Sequence, residues 1–163
     1  MFLVAITSRA AAPPRASRAA TSQCGSADVL KELGVNVEAS PEAVGRCLDE
    51  VGIGFLFAPA LHSAMEHAIG PRKELAPTRT VFNALGPLTN PAGATRQVIG
   101  VYSHELTETL AEVLATLGSE RAFVVHGLEG LDEISVTGPS RVSELKDGTV
   151  LTYEVEPSHF GFG

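Results

Sequence analysis

Apolar and polar positions in the second half of the chain predict a strand, a helix and a second strand in succession. Residues 97–102 have the pattern of a short strand, Ser103 is suited to cap the helix that follows, and Gly118 comes after its last apolar position. A continuous apolar run at 122–125 is typical of a strand buried on both faces. We therefore predict a β-α-β unit with parallel strands and a right-handed crossover. The apolar stripe of its helix consists of Leu106, Leu110, Val113, Leu114 and Leu117.

Two helices are predicted in the first half of the chain. One begins at Ser26, a favourable N-cap residue, and ends at Gly34, where glycine favours the left-handed conformation that stops a helix. The other begins at Ser40 and ends at Gly52. Cys47 lies on the apolar stripe of this second helix, so we expect it to be a small core residue rather than a reactive thiol.

Four further segments complete the predicted secondary structure. Residues 53–58 have the apolar character of a buried strand. Residues 80–91 contain two glycine or proline breakers close to apolar side chains, which predicts a rigid, partly buried loop. Residues 141–145 and 150–155 flank Asp147-Gly148, a strong signal for a β-hairpin with a two-residue turn.

Two adjacent carboxylates follow the strand at 122–125. The chain passes through a glycine-containing segment at 127–130 and then reaches Asp132 and Glu133. Ligands of α/β sheets bind beyond the carboxyl ends of the strands, which is where this pair should lie. Hard oxygen ligands supplied one or two at a time, with phosphate providing the rest, are typical of Mg²⁺ sites. An Asp-Glu pair after a strand is more often part of a solvated loop, and the dipeptide alone favours that interpretation.

Composition and charge narrow the possible functions. With 163 residues, 44% of them apolar, the chain is long enough for a hydrophobic core. Its net charge of −7 argues against a nucleic-acid-binding surface and against attraction to anionic membranes. A phosphorylated small substrate remains compatible, because a few local donors and Mg²⁺ outweigh distant acids. Cys24 and Cys47 form neither a metal-binding spacing nor a disulfide framework, which indicates a reducing compartment, the cytoplasm.

Several long motifs occur in an order that resembles one enzyme family, anthranilate phosphoribosyltransferase. The resemblance extends from about Arg18 to the end of the chain and is carried by the strings GSADVLKELG (25–34), VGIGFLFAPALHSAM (51–65), FNALGPLTNPAG (82–93), QVIGVYS (97–103) and VVHGLEGLDEIS (124–135). It implies an α/β fold with a mostly parallel sheet flanked by helices, of the nucleoside phosphorylase and phosphoribosyltransferase catalytic-domain type. It also implies transfer of phosphoribose from phosphoribosyl pyrophosphate (PRPP) to anthranilate in tryptophan biosynthesis.

The resemblance assigns roles to individual residues. Asp132 and Glu133 match the family's Mg²⁺ ligands. Arg72 matches the arginine that holds the anthranilate carboxylate, and His62 and Pro87 match positions lining the anthranilate tunnel. The positions that match the PRPP phosphate-binding region are Arg18, Ala19, Ala20, Thr21, Ser22 and Ser26. The small-molecule partners implied are thus PRPP and anthranilate.

The chain also departs from the family pattern. Four places that carry Lys-His-Gly-Asn in the family are Pro14, Arg15, Ala16 and Ser17 here, a glycine-rich GTGGD loop has no counterpart, and residues 74–79 contain one extra residue. The helical domain through which the family forms homodimers also has no counterpart. We therefore expect an atypical, disordered or wrongly started segment at 1–17, whose composition is also compatible with a transit peptide, and a truncated, inactive partial catalytic domain at 18–163.

Two other interpretations remain. Arg18 to Asp28 also fits a string shared by the related pyrimidine nucleoside phosphorylases, although these lack the FNALGPLTNP and GLDE strings in this form. Alternatively, the chain is a non-catalytic fragment that at most binds ligand weakly. Turnover with PRPP and anthranilate, compared with turnover of phosphate and thymidine, discriminates between the three.

Overall fold

The structure, a computed structural model, describes residues 15–16, 26–57, 81–88 and 94–162. These residues fall into two compact units, one within 2–93 and one within 94–163. Among the residues described, no helix has the length and apolar character needed to cross a bilayer.

The described residues of the first unit form three helices and a parallel pair of two-residue strands. Its elements are β1 (Arg15–Ala16), α1 (Ser26–Glu32), α2 (Pro41–Glu50), β2 (Leu56–Phe57) and α3 (Val81–Leu88), with β1 and β2 paired. The strand predicted at 53–58 is therefore shorter in the described part, where only Leu56 and Phe57 have strand geometry. The predicted end of α1 is confirmed, because Gly34 has a φ of +87° and donates its N–H to the carbonyl of Lys31 at 3.0 Å.

Helix α2 confirms its predicted boundaries but corrects the position of Cys47. The Ser40 hydroxyl accepts a hydrogen bond from the N–H of Ala43 at 3.3 Å and caps the helix. The buried line along α2 runs through Val44, and a β-carbon at Gly54 would come within 3.0 Å of the side chains of Val44 and Leu48. Cys47 lies to the side of this line and is exposed. The prediction of a core cysteine was wrong because the apolar stripe on α2 is broader than the face it buries.

Residues 81–88 form helix α3, whereas we predicted a loop over 80–91. Pro87 lies inside the helix, one residue before its end, and is buried. Proline has a φ close to the helical value and lacks an N–H, so at this position it removes one backbone hydrogen bond without stopping the helix. The predicted burial is confirmed for Pro87. The predicted loop geometry was wrong for 81–88.

The second unit is a four-stranded sheet with one long helix. Its elements are β3 (Arg96–Gly100), α4 (Leu106–Thr116), β4 (Arg121–Gly127), β5 (Ser140–Lys146), β6 (Thr149–Val155) and a short 3₁₀ helix at Pro157–Phe160. The strand order is β3-β4-β5-β6, with β3 and β4 parallel and the other two pairs antiparallel. The predicted α/β class and the parallel β3–β4 pair are confirmed. This sheet is mixed rather than mostly parallel, because the hairpin adds two antiparallel pairings.

The core of the second unit lies between α4 and the sheet. Ile99, Val124 and Leu145 come from three neighbouring strands and are each at most 1% exposed. Helix α4 contributes Leu110 and Leu114 to the buried residues, as its apolar stripe predicted. These side chains place the helix firmly against the sheet and hold the ends of β3 and β4 side by side.

The start of α4 differs from the prediction. The helix begins at Leu106 rather than directly after Ser103, and Thr107 donates its hydroxyl proton to the carbonyl of His104 at 2.8 Å. Thr107 is fully buried, whereas Leu117, predicted to lie in the stripe, follows the helix and is 61% exposed. The buried face of α4 thus has the helical spacing that we predicted, but it begins at the polar residue Thr107. A pattern of apolar residues does not detect such a position.

The predicted hairpin is confirmed. Asp147 and Gly148 separate β5 from β6 and have φ values of 50° and 77°. Two consecutive residues with positive φ are typical of a type I′ turn, whose twist matches that of the strands.

Candidate functional site

The candidate site is the segment 128–139, here called the acidic loop, which joins β4 to β5. It carries Asp132 and Glu133, here called the acidic pair. Because β3 and β4 are parallel, the acidic loop leaves the sheet where both strands have their carboxyl ends. Asp132 is half-buried and Glu133 is exposed. The predicted position of the acidic pair beyond a strand's carboxyl end is therefore confirmed.

A tight turn begins the acidic loop. The N–H of Gly127 donates to the carbonyl of Leu131 at 2.8 Å, and the N–H of Leu131 donates to the carbonyl of Gly127 at 3.2 Å. Gly130 has a φ of +101°, a conformation that glycine adopts without strain. The turn brings Leu131 back beside Gly127, the last residue of β4. The acidic pair, which follows Leu131, therefore lies at the carboxyl end of this strand.

Two glycines allow the backbone of the acidic loop to lie on the ends of the parallel strands. A β-carbon at Gly100, the last residue of β3, would overlap with the main-chain carbonyl of Asp132. A β-carbon at Gly127, the last residue of β4, would come within 3.2 Å of the carbonyl of Glu133. Sequence reasoning missed this role, although the strings QVIG and VVHG both end in glycine.

A network of hydrogen bonds closes the second half of the acidic loop. One carboxylate oxygen of Glu129 accepts the hydroxyl protons of Ser135, at 2.6 Å, and Thr137, at 2.5 Å. These two hydrogen bonds, first that of Ser135 and then that of Thr137, hold the pKa of Glu129 below its ordinary value, against the opposing effect of desolvation. Sequence reasoning also missed this network, because the spacing of these residues has no local periodic signal.

A buried histidine joins β4 to the end of β3. His126 is 5% exposed, and its Nδ1 lies 2.7 Å from the main-chain carbonyl oxygen of Val101. Since a carbonyl only accepts, Nδ1 carries the proton in this contact. The ring centroid of His126 lies 6.3 Å from that of His104, in the segment that leads into α4. This hydrogen bond fixes the chain directly after β3, next to the position of the acidic pair.

The carboxylates of the acidic pair are donors of the kind that Mg²⁺ binds. Within the described residues, no group of three or more histidine, cysteine, aspartate or glutamate side chains is placed to hold a metal ion. Two carboxylates on an accessible loop instead provide part of a hard-oxygen ligand set, which substrate phosphate and water complete at an Mg²⁺ site. That Asp132 and Glu133 hold Mg²⁺ stays a prediction.

The other predicted site residues are described only in part. Arg18, Ala19, Ala20, Thr21, Ser22, His62 and Arg72 lie outside the residues that the structure describes. Ser26 begins α1, and Pro87 is buried in α3, both in the first unit. Their assignment to PRPP and anthranilate remains a prediction.

Comparison with known proteins identifies one family over almost the whole chain. The model of the glycosyl transferase family, a/b domain, matches residues 3–163. The chain is 57% identical over 145 residues to an anthranilate phosphoribosyltransferase of Moorella thermoacetica, which covers 89% of this chain and 42% of that protein. The chain thus spans less than half the length of this relative. The resemblance to anthranilate phosphoribosyltransferases predicted from the motifs is confirmed.

Solved structures show the same relationship. The crystal structure of anthranilate phosphoribosyltransferase from Thermus thermophilus has a TM-score of 0.79 and 49% identity, covering 91% of this chain and 43% of that one. The enzyme from Saccharomyces cerevisiae in complex with PRPP and Mg has a TM-score of 0.74 and 33% identity, covering 90% of this chain and 40% of that one. The α/β fold is therefore shared by these proteins.

Proposed function

Because the chain belongs to the glycosyl transferase family through its a/b domain, we propose that the protein transfers the 5-phosphoribosyl group of PRPP to the amine of anthranilate. Pyrophosphate is released, and the product leads to L-tryptophan. The observation that carries the proposal is the acidic pair, held by its own backbone on the carboxyl ends of β3 and β4. Relatives that bear the name of this activity, one of them solved with PRPP and Mg, support it.

The chemistry requires positioning and charge rather than a nucleophilic side chain. The aromatic amine of anthranilate is neutral at pH 7, so the protein does not need a strong general base. Asp132 and Glu133 would hold Mg²⁺, which when bound offsets the negative charge of the departing pyrophosphate. The tasks of the chain's own residues are to hold the carboxylates beside the substrate phosphates and to keep the two substrates in line.

The two substrates are assigned to different segments of the chain. PRPP is assigned to the segment 18–22 and to Ser26, which begins a helix and so offers backbone N–H groups. The anthranilate carboxylate is assigned to Arg72, because a guanidinium can form a bidentate pair with a carboxylate. His62 and Pro87 are assigned to the walls around the aromatic ring. Cytoplasmic localisation and homodimerisation through a helical domain remain part of this proposal.

The proposal is tested by turnover with purified protein made from its complete reading frame. Incubation with Mg²⁺, PRPP and anthranilate should lower the fluorescence of anthranilate as this substrate is consumed, and should release pyrophosphate. Incubation with phosphate and thymidine should release no thymine. Thymine release without loss of anthranilate would instead support a pyrimidine nucleoside phosphorylase, and absence of both activities would support a non-catalytic protein.

The chain at the length given is expected to be inactive in the same assay. The lysine-histidine segment and the GTGGD loop of the family have no counterpart in it. Removal of one well-placed donor from a site of this kind costs about two to three orders of magnitude in rate, so the loss of several leaves little activity. Clear turnover by the 163-residue chain alone would contradict this part of the proposal.

A further inference from the structure

The acidic pair lies in a short stretch whose two ends are both anchored to the sheet. At one end, Leu131 exchanges two backbone hydrogen bonds with Gly127, the last residue of β4. At the other end, the N–H of Ser135 donates to the hydroxyl of Ser140 at 2.8 Å, and Ser140 is the fully buried first residue of β5. Only the backbone between these two anchored residues, Leu131 and Ser135, can thus change conformation while both anchors are kept.

The hydroxyl of Ser135 uses all of its hydrogen-bonding capacity inside the acidic loop. It donates to Glu129 at 2.6 Å and accepts from the N–H groups of Thr137 at 3.0 Å and Gly138 at 3.2 Å. A hydroxyl has one donor and two acceptor positions, so these three bonds complete its set. The hydroxyl of Thr137 consequently gives its own proton to Glu129 at 2.5 Å.

Glu129 therefore joins the two halves of the acidic loop. Glu129 precedes the acidic pair in the sequence, whereas Ser135 and Thr137 follow the pair. The hydroxyl groups of Ser135 and Thr137 both donate to the same ionised carboxylate oxygen of Glu129. Ser135 is 4% exposed, so its hydroxyl has no water to replace a lost partner. These two hydrogen bonds therefore tie Glu129 to the segment that follows the acidic pair.

We propose that Glu129 and Ser135 are positioning residues for the Mg²⁺ site. The hydrogen bond between their side chains joins the segment before the acidic pair to the segment after it, so that both carboxylates meet the ion on a loop that is already ordered. The inference rests on the proposed function for the identity of the ion. It goes beyond that function because it assigns a task to two residues outside the proposed set of metal and substrate ligands.

The test measures Mg²⁺ binding and loop order directly. Mg²⁺ is titrated calorimetrically into the complete protein in the presence of PRPP, for the wild type and for Glu129→Gln and Ser135→Ala. Glu112→Gln, which changes an exposed carboxylate on α4, is the matched control. Amide hydrogen exchange without metal is recorded on the same samples, at Thr137 and Gly138 and along β4 and β5.

Both loop variants should bind Mg²⁺ roughly tenfold or more weakly, as is typical when the partner that orients a metal ligand is removed. Exchange at Thr137 and Gly138 should accelerate, while β4 and β5 stay protected and Glu112→Gln behaves as the wild type. Unchanged Mg²⁺ affinity in both loop variants would overturn the inference. If a variant loses protection along the strands as well, Thr137→Val, which removes one proton donor from Glu129 and keeps the side-chain shape, provides the same test.

The failure of this inference is distinguishable from failure of the proposed function. A wild-type protein that binds Mg²⁺ with PRPP but leaves anthranilate unchanged would refute the function, and weakened binding in the loop variants would still support the positioning role. A wild-type protein that binds no Mg²⁺ in the presence of PRPP would overturn the positioning role itself.

Discussion

The main-chain carbonyl oxygen of Asp132 occupies the place where the β-carbon of any residue other than glycine would stand at position 100. The last residue of β3 and the first residue of the acidic pair are thus in direct backbone contact, although they are far apart in sequence. Any side chain at position 100 has to push the acidic loop away from the sheet, or shift the end of β3.

Gly100→Ala is therefore expected to destabilise the fold and to weaken Mg²⁺ binding together. Overpacking a tight site costs about 1–3 kcal/mol in the free energy of unfolding, and chemical denaturation measures it. The matched control is Gly45→Ala, because Gly45 lies within α2 with open space around its missing β-carbon. This control should stabilise by about 0.4–1 kcal/mol. Equal effects of the two substitutions would show that Asp132 moves aside without cost.

The double variant Asp132→Asn, Glu133→Gln is expected to abolish Mg²⁺-dependent turnover while leaving the fold intact. The amides keep the size of both side chains but remove the negative charges that a divalent cation requires. Initial rates at increasing Mg²⁺, compared with circular dichroism and thermal melting, check both parts. Activity close to that of the wild type at saturating Mg²⁺ would rule out the acidic pair as the metal site.

Arg72→Ala is expected to raise the KM for anthranilate and to leave PRPP binding nearly unchanged. A charge-assisted hydrogen bond contributes about 1.5–3 kcal/mol, which corresponds to roughly a ten- to hundredfold effect. Steady-state kinetics with each substrate varied in turn measures the change. Arg96→Ala is the control, since the side chain of Arg96 forms an exposed ion pair with Glu120 at 3.4 Å. A fall in PRPP affinity in the Arg72 variant would place this arginine in the other pocket.

Leu145→Ala is expected to be strongly destabilising. Leu145 is fully buried in β5, and removing a buried leucine side chain costs about 2–5 kcal/mol. Leu151→Ala on β6 is the matched control because Leu151 is 62% exposed, and its effect should stay within about 0.5 kcal/mol. Urea denaturation of both variants measures the difference, and similar midpoints would contradict the description of the core.

The contribution of Glu129 to stability is expected to disappear in acid. Its pKa is lowered from the ordinary value of 4.5 by the hydrogen bonds from Ser135 and then Thr137. The folded state therefore binds this proton less readily than the unfolded state, so the contribution is complete above pH 4.5 and is lost as the pH falls through the lower, folded pKa.

The pH dependence is measured from urea denaturation of the wild type and of Glu129→Gln at several pH values. The stability difference between them should be largest near neutral pH and should shrink below pH 4.5, where the carboxyl of the unfolded chain is already protonated. A difference that grows as the pH falls would show that Glu129 is destabilised by its surroundings.

Sequence patterns predicted those features that depend on neighbouring residues. The positive φ of Asp147 and Gly148 follows from the preference of a type I′ turn, and the apolar run before Gly127 identified β4 and the position of the acidic pair after it. The parallel pairing of β3 with β4 followed from the helix between them.

The errors and omissions have a common physical origin. Cys47 is exposed because only contacts with other elements decide which side of an amphipathic stripe is buried. The overlap that a side chain at Gly100 would produce, and the bond from Ser135 to Glu129, join residues through space. Such contacts leave no periodic signal in a single sequence, so the support of the acidic pair became visible only in the structure.

The register of the sheet pairs Gly127 directly with Ser140, so the acidic loop starts and finishes on the same rung of the β4–β5 ladder. The pairing of β4 with β5 holds the two ends of the acidic loop together in every conformation of the loop. The entropic cost of closing the loop is therefore offset by the hydrogen bonds between these two strands. The loop can therefore unfold locally and refold with the sheet intact, at a free energy below that of global unfolding. Opening of this edge therefore leaves the hydrophobic core of the second unit covered.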